Sequence, residues 1–128
     1  MKTEIPRLLK QGGTFIKIFM NWDTEDPIAR ASVALVKELN PAWDSDAAAL
    51  RDLTQDLFPG TRTEVTLHSL PFTREGWHGR MCACRGTLAS MDPITFEQWQ
   101  KQHLILLSGF PDTFCVRHTL YLSVCTIA

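Results

Sequence analysis

The sequence has 128 residues, 45% of them hydrophobic and 21% charged, with 13 basic against 14 acidic side chains for a net charge of -1. A chain of this size and composition builds a core of its own, so residues 1–128 are read as a single domain that needs neither a metal nor a disulfide framework to fold. The balanced charge, without a lysine- or arginine-rich run, excludes the electrostatic footprint of sequence-independent nucleic-acid binding, and no apolar run approaches the roughly 20 residues that cross a bilayer.

The opening Met1-Lys2-Thr3-Glu4-Ile5-Pro6 lacks the apolar centre of a secretory signal. A cytoplasmic location is therefore expected, where Cys82, Cys84, Cys115 and Cys125 stay reduced. Cys115 and Cys125 fall in an apolar run and are expected to pack as small hydrophobes. His78-x3-Cys82-x-Cys84 is the one arrangement with metal-ligand flavour, but it lacks a second paired cluster, so no metal is expected.

In chain order, Lys10-Gln11-Gly12-Gly13 is a turn in which the glycines supply positive φ. Thr14-Phe15-Ile16-Lys17-Ile18-Phe19-Met20 is almost continuously apolar, which predicts a strand buried on both faces. Asp26-Pro27 starts a helix with a cap and a proline in the first turn, and Ile28, Ala31, Leu35 and Leu39 recur at helical spacing until Asn40-Pro41. Asp46 caps a shorter helix with Leu50, Leu53 and Leu57, ended by Pro59-Gly60. Glu64-Val65-Thr66-Leu67-His68 alternates as a half-buried strand.

Residues 71–91 read as an irregular, glycine-punctuated loop crowded with aromatic and basic side chains, and so as the place for recognition. Asp92-Pro93 opens another helix whose Phe96, Trp99, His103, Leu106 and Leu107 share a face until Ser108-Gly109. In the closing strand Phe114, Val116, His118, Leu120, Leu122 and Val124 line one face. The order strand, helix, helix, strand, loop, helix, strand is that of a layered α/β fold.

With these elements placed, Leu8-Leu9-Lys10-Gln11-Gly12-Gly13-Thr14-Phe15-Ile16 resembles the "L-K-P-G-G" turn and following strand of class I S-adenosylmethionine-dependent methyltransferases, with Gln11 where proline is usual. Phe72-Thr73-Arg74-Glu75-Gly76-Trp77-His78-Gly79-Arg80 and Cys84-Arg85-Gly86 resemble the C-terminal part of the small-molecule branch of that superfamily. The final helix and strand are similar to its helix-plus-antiparallel-strand ending. The resemblance implies a partial Rossmann-like methyltransferase sheet, built from the C-terminal strands with an antiparallel last strand and flanking helices. It also implies a substrate-side portion acting on a small, in one reading anionic, methyl acceptor.

The glycine-rich loop and the acidic strand end that hold S-adenosylmethionine in the family have no counterpart in these 128 residues. No cofactor-binding residue is assigned, and the chain alone is expected to be inactive and to bind no cofactor. The resemblance makes the 71–91 region a cover over the substrate pocket. There Arg80 and Arg85 are read as forks for a carboxylate or phosphate, or as ties to helix ends and carbonyls.

His78 is read as a weak general-base candidate or as a hydrogen-bonded structural residue. Trp77 joins the substrate-binding set, and Trp22, beside Asp23 just past the end of the first strand, is read as an apolar pocket wall. His103 and His118 are read as satisfied core or boundary groups, and Trp99 as helix packing. The second reading is a truncated, non-catalytic remnant or interaction module. Because the first strand lacks a neighbour on one edge, a homo-oligomer joined near residues 14–20 is expected in either case.

Overall fold

In the computed structural model, which describes residues 3–43, 56 and 58–127, Gly12 takes φ 77° at the turn predicted for it. Its N–H donates to the Ile127 carbonyl at 2.9 Å, and the Ile127 N–H returns a bond to the Gly13 carbonyl at 2.8 Å. A side chain at Gly13 would meet the Lys10 carbonyl oxygen at 2.8 Å. The two glycines thus give the positive φ and the clearance that lead a short helix, α1 (Glu4–Leu8), into β1 (Thr14–Trp22).

The remaining elements are α2 (Pro27–Leu39), β2 (Arg62–Thr73), α3 (Arg74–Cys82), α4 (Pro93–Ser108) and β3 (Thr113–Thr126). The architecture is mixed α/β, with one three-stranded sheet in the order β1-β3-β2 and flanking helices. β3 lies in the middle and runs antiparallel to both neighbours, matching Trp22 to His118 on one side and Phe72 to Phe114 on the other. The helices cover the face that carries Trp22, Phe72, Val116 and His118, where Trp77 makes edge contacts with Trp22 at 6.2 Å, Phe72 at 5.1 Å and His118 at 6.3 Å. Trp77, Met81, Trp99, Leu107, Val36 and Val116 are buried at the centre of this core.

Several expectations change. β1 is not buried on both faces: from Thr14 to Asn21 its residues alternate between exposed and half-buried, with Ile16, Ile18 and Met20 exposed, and Trp22 at its end is buried. The register gives it one paired edge, along β3, and among the described residues no strand pairs with the other. The buried stripe of α2 is Ala29, Ser32 and Val36, one position away from the expected one, and Ile28, Ala31, Leu35 and Leu39 are only half-buried. The serine hides in the stripe because its hydroxyl has hydrogen-bonding partners inside the core.

Residues 71–91 are not an irregular loop. β2 continues to Thr73, whose side chain caps α3 by accepting from the Gly76 N–H at 2.9 Å. α3 forms because Trp77 and Met81, four residues apart, bury one side of it, which outweighs the weak helix preference of Gly76 and Gly79. Thr87 ends the segment, its hydroxyl meeting the carbonyls of Met81, Cys82 and Cys84 at 2.7–2.9 Å. Gly86 leaves room for the Trp43 ring, which a Cβ there would meet at 2.4 Å. Cys125 is buried as expected, whereas Cys115 is exposed. The helix expected around Leu50, Leu53 and Leu57 lies outside the described residues.

Candidate functional site

At the carboxyl end of β1 the strand gives way to α2 through a polar corner. Asp26 caps α2, one carboxylate oxygen accepting from the Ile28 and Ala29 N–H groups at 2.9 and 3.1 Å. Its other oxygen accepts from the Arg117 N–H of β3 at 2.9 Å, which ties the helix start to the sheet. The Arg117 side chain pairs with Asp23. The Glu25 N–H, followed by that arginine, holds the Asp23 carboxyl below its ordinary value. Beside this corner lies a hollow of about 140 Å³ lined by Asn21, Trp22, Asp23, Thr24, Thr119 and Tyr121.

Trp22 is buried and is among the residues that line this hollow. The Arg80 guanidinium stacks over its ring at 4.8 Å. Trp77 is fully buried as a core residue rather than exposed to a ligand, and Arg85 is exposed, its carbonyl accepting from the Ser90 hydroxyl at 2.6 Å. Trp77, His78, Arg80 and Arg85 do not line the hollow. The structure therefore brings Trp22 together with Arg80 and leaves Arg85 apart.

His78 belongs to a second constellation that its spacing alone did not reveal. Its Nδ1 meets His103 Nδ1 at 2.8 Å, and its Nε2 faces Cys82 Sγ at 3.5 Å. His103 Nε2 meets Ser32 Oγ at 2.9 Å, and the Trp77 indole N–H donates to the same hydroxyl at 3.0 Å. The chain Trp77, Ser32, His103, His78, Cys82 thus runs from α3 through α2 and α4 back to α3, from the fully buried interior to two half-buried groups.

Trp99 stacks on His78 at 5.5 Å and on His103 at 4.7 Å, and its own indole N–H is buried with no hydrogen-bond partner. Burial lowers the His78 imidazole and raises the Cys82 thiol, and burial followed by the neighbouring His78 lowers His103 to about 4. Both imidazoles are neutral at neutral pH. Among the described residues no group of three or more His, Cys, Asp or Glu side chains has the geometry to hold a metal ion, and no helix is long and apolar enough to cross a membrane. His118 is buried with Nδ1 at 3.0 Å from the Val116 carbonyl and its ring stacked on Phe72, as a satisfied core group should be.

No protein-family model and no curated protein matches the chain. Among solved structures, the chain is similar to the YcgJ protein from Bacillus subtilis, at 19% identity and a TM-score of 0.41, over 96% of this chain and 55% of that one. The chain thus spans little more than half the length of that protein.

Proposed function

We propose that the chain is the C-terminal, substrate-side portion of an S-adenosylmethionine-dependent methyltransferase acting on a small molecule, inactive without a complementary portion that holds the cofactor. The observation that carries the reading is the arrangement of its three strands: the last strand, β3, inserts antiparallel between β1 and β2. It supports the helix-plus-antiparallel-strand ending that the resemblance of the final helix and strand implies. Support also comes from the hollow at the carboxyl end of β1, since open α/β sheets bind their ligands beyond the carboxyl ends of strands. Trp22 is then an apolar wall for the acceptor; Arg80 stacks on its ring without lining the hollow, and the guanidinium paired with a residue of the hollow is that of Arg117, on Asp23.

Isothermal titration of the isolated chain with S-adenosylmethionine tests the reading. No saturable heat is expected up to millimolar cofactor, because the residues that hold adenosine and methionine in the family have no counterpart here. Saturable binding at micromolar cofactor overturns the assignment of this chain to the substrate side alone.

A second reading, an oligomerising remnant or interaction module, is favoured by the sheet surface. Ile16, Ile18 and Met20 of β1, next to its open edge, are exposed on one face, and Val65 and Leu67 of β2, across β3, are exposed on the other. A homodimer through that edge fits either reading.

A further inference from the structure

We propose that Cys82 is a base-assisted thiol nucleophile, served by His78 and oriented through His103, that forms mixed disulfides with small aliphatic disulfides. A nucleophile within hydrogen-bond reach of a base, with a third group orienting the base, is the general arrangement for activating a weak nucleophile. Here Cys82 Sγ lies 3.5 Å from His78 Nε2, and His78 Nδ1 lies 2.8 Å from His103 Nδ1. The His78 ring is fixed by more than that bond, since it stacks on Trp99 at an interplanar angle of 10°.

The proton order turns on the Ser32 hydroxyl. The Trp77 indole N–H is a donor only, so Ser32 Oγ accepts from it at 3.0 Å. Ser32 Oγ and His103 Nε2 stand 2.9 Å apart, and either can be the donor. In the order the proposal uses, His103 Nε2 donates to Ser32, His103 Nδ1 accepts from His78 Nδ1–H, and the lone pair of His78 Nε2 faces the Cys82 thiol.

In the reaction, His78 Nε2 takes the thiol proton as Cys82 Sγ attacks one sulfur of the incoming disulfide. A new S–S bond forms, the old S–S bond breaks, and the proton passes to the departing thiolate. Cys82 is oxidised to the mixed disulfide and the released thiol is the reduced product, so atoms and electrons balance. Exchange at sulfur is the step that a thiol and a base suffice for, whereas acyl transfer also needs donors aimed at a developing oxyanion; among the described residues Cys82 Sγ meets His78, the Gln100 side chain of α4 and its own backbone N–H. Both Cys82 and His78 are half-buried, which admits a small reagent.

The test uses the full chain with 2-hydroxyethyl disulfide as the probe, and maps the four cysteines by peptide mass spectrometry over a range of pH. The exposed Cys115 is the internal reference for an unassisted thiol, and the buried Cys84 and Cys125 report loss of fold. The expected result is that Cys82 is modified at neutral pH with a rate that levels off once the His78 imidazole is neutral. Cys115 should follow only its own ionisation. His78→Gln and His103→Gln are each expected to slow Cys82 by about tenfold or more while leaving Cys115 unchanged. A Cys82 that stays unmodified while Cys115 reacts overturns the proposal, as does an undiminished Cys82 rate in the folded His78→Gln chain. Should either variant expose Cys84 or Cys125, the wild-type profile decides: a Cys82 rate rising only with a single thiol ionisation above that of Cys115 overturns the assignment. These outcomes do not depend on cofactor binding, so they leave the methyltransferase reading untouched.

Discussion

Trp77 and Trp99 are both fully buried, but the indole N–H of Trp77 reaches Ser32 while that of Trp99 reaches nothing. The same substitution should therefore have two different costs. Trp77→Phe removes a satisfied hydrogen bond along with ring area, and is expected to destabilise the fold by about 1 kcal/mol more than Trp99→Phe, which removes an unsatisfied buried donor. Urea unfolding followed by circular dichroism compares the two. The histidines make a second expectation at this scale. His103 sits at about 4 in the fold against 6.5 for an ordinary imidazole, so the unfolded chain binds the proton more readily. Stability present above pH 6.5 is lost as the pH falls towards about 4, by on the order of 3 kcal/mol for a shift of this size. His78, also lowered by burial, acts in the same direction. Urea midpoints at about pH 7 and about pH 4.5 should show this fall, and His103→Gln should flatten it. The sequence marked His78, His103 and Trp99 as residues with a place in the structure. It did not mark Ser32, because a serine within an apolar helix period looks like a surface residue until its partners, 45 and 71 positions away, are brought to it.

Helix starts were the most legible elements, since Asp26-Pro27 and Asp92-Pro93 each combine a capping carboxylate with a residue that fits only the first turn. The two caps are not equivalent. Asp92 accepts locally, from the Thr95 N–H and hydroxyl at 2.9 and 2.7 Å, whereas Asp26 also satisfies the Arg117 N–H on β3. Asp92→Ala is expected to cost about 1 kcal/mol. Asp26→Ala, which leaves a half-buried backbone donor unpaired as well, is expected to cost roughly 2–4 kcal/mol. Thermal melts of the two variants side by side check the ranking. α3 was illegible for a physical reason: glycines at 76 and 79 and few apolar residues resemble a loop locally, and the helix exists because the core takes up Trp77 and Met81. Arg80 and Trp22 meet across that helix and the end of β1, 58 positions apart in the chain, which no local pattern conveys.

At the scale of the molecule, the sheet has a covered end and a bare end. The Trp22, His118 and Phe72 end is packed under helices, while Ile16, Ile18 and Met20 stand exposed towards the start of β1. The apolar run at 14–20 correctly indicated a strand, and its overestimated burial comes from the same source as its exposed side chains: a sequence made to be covered is not covered by the described residues. The expected outcome in light scattering is a dimer or larger assembly of the purified chain, with Ile18→Lys shifting it to monomer. A wild-type chain that stays monomeric at high concentration sets aside the edge as an interface.

The central place of β3 also orders events in time. It is the last of these elements to leave the ribosome, yet it supplies every strand pairing in the sheet, so β1 and β2 have no pairing partner until residues 113–126 have been made. β1 must wait through roughly a hundred intervening residues for its mate, and the loop closures involved are of the long-range kind that slow folding. During synthesis the apolar 14–20 segment thus stays open to other chains until β3 arrives.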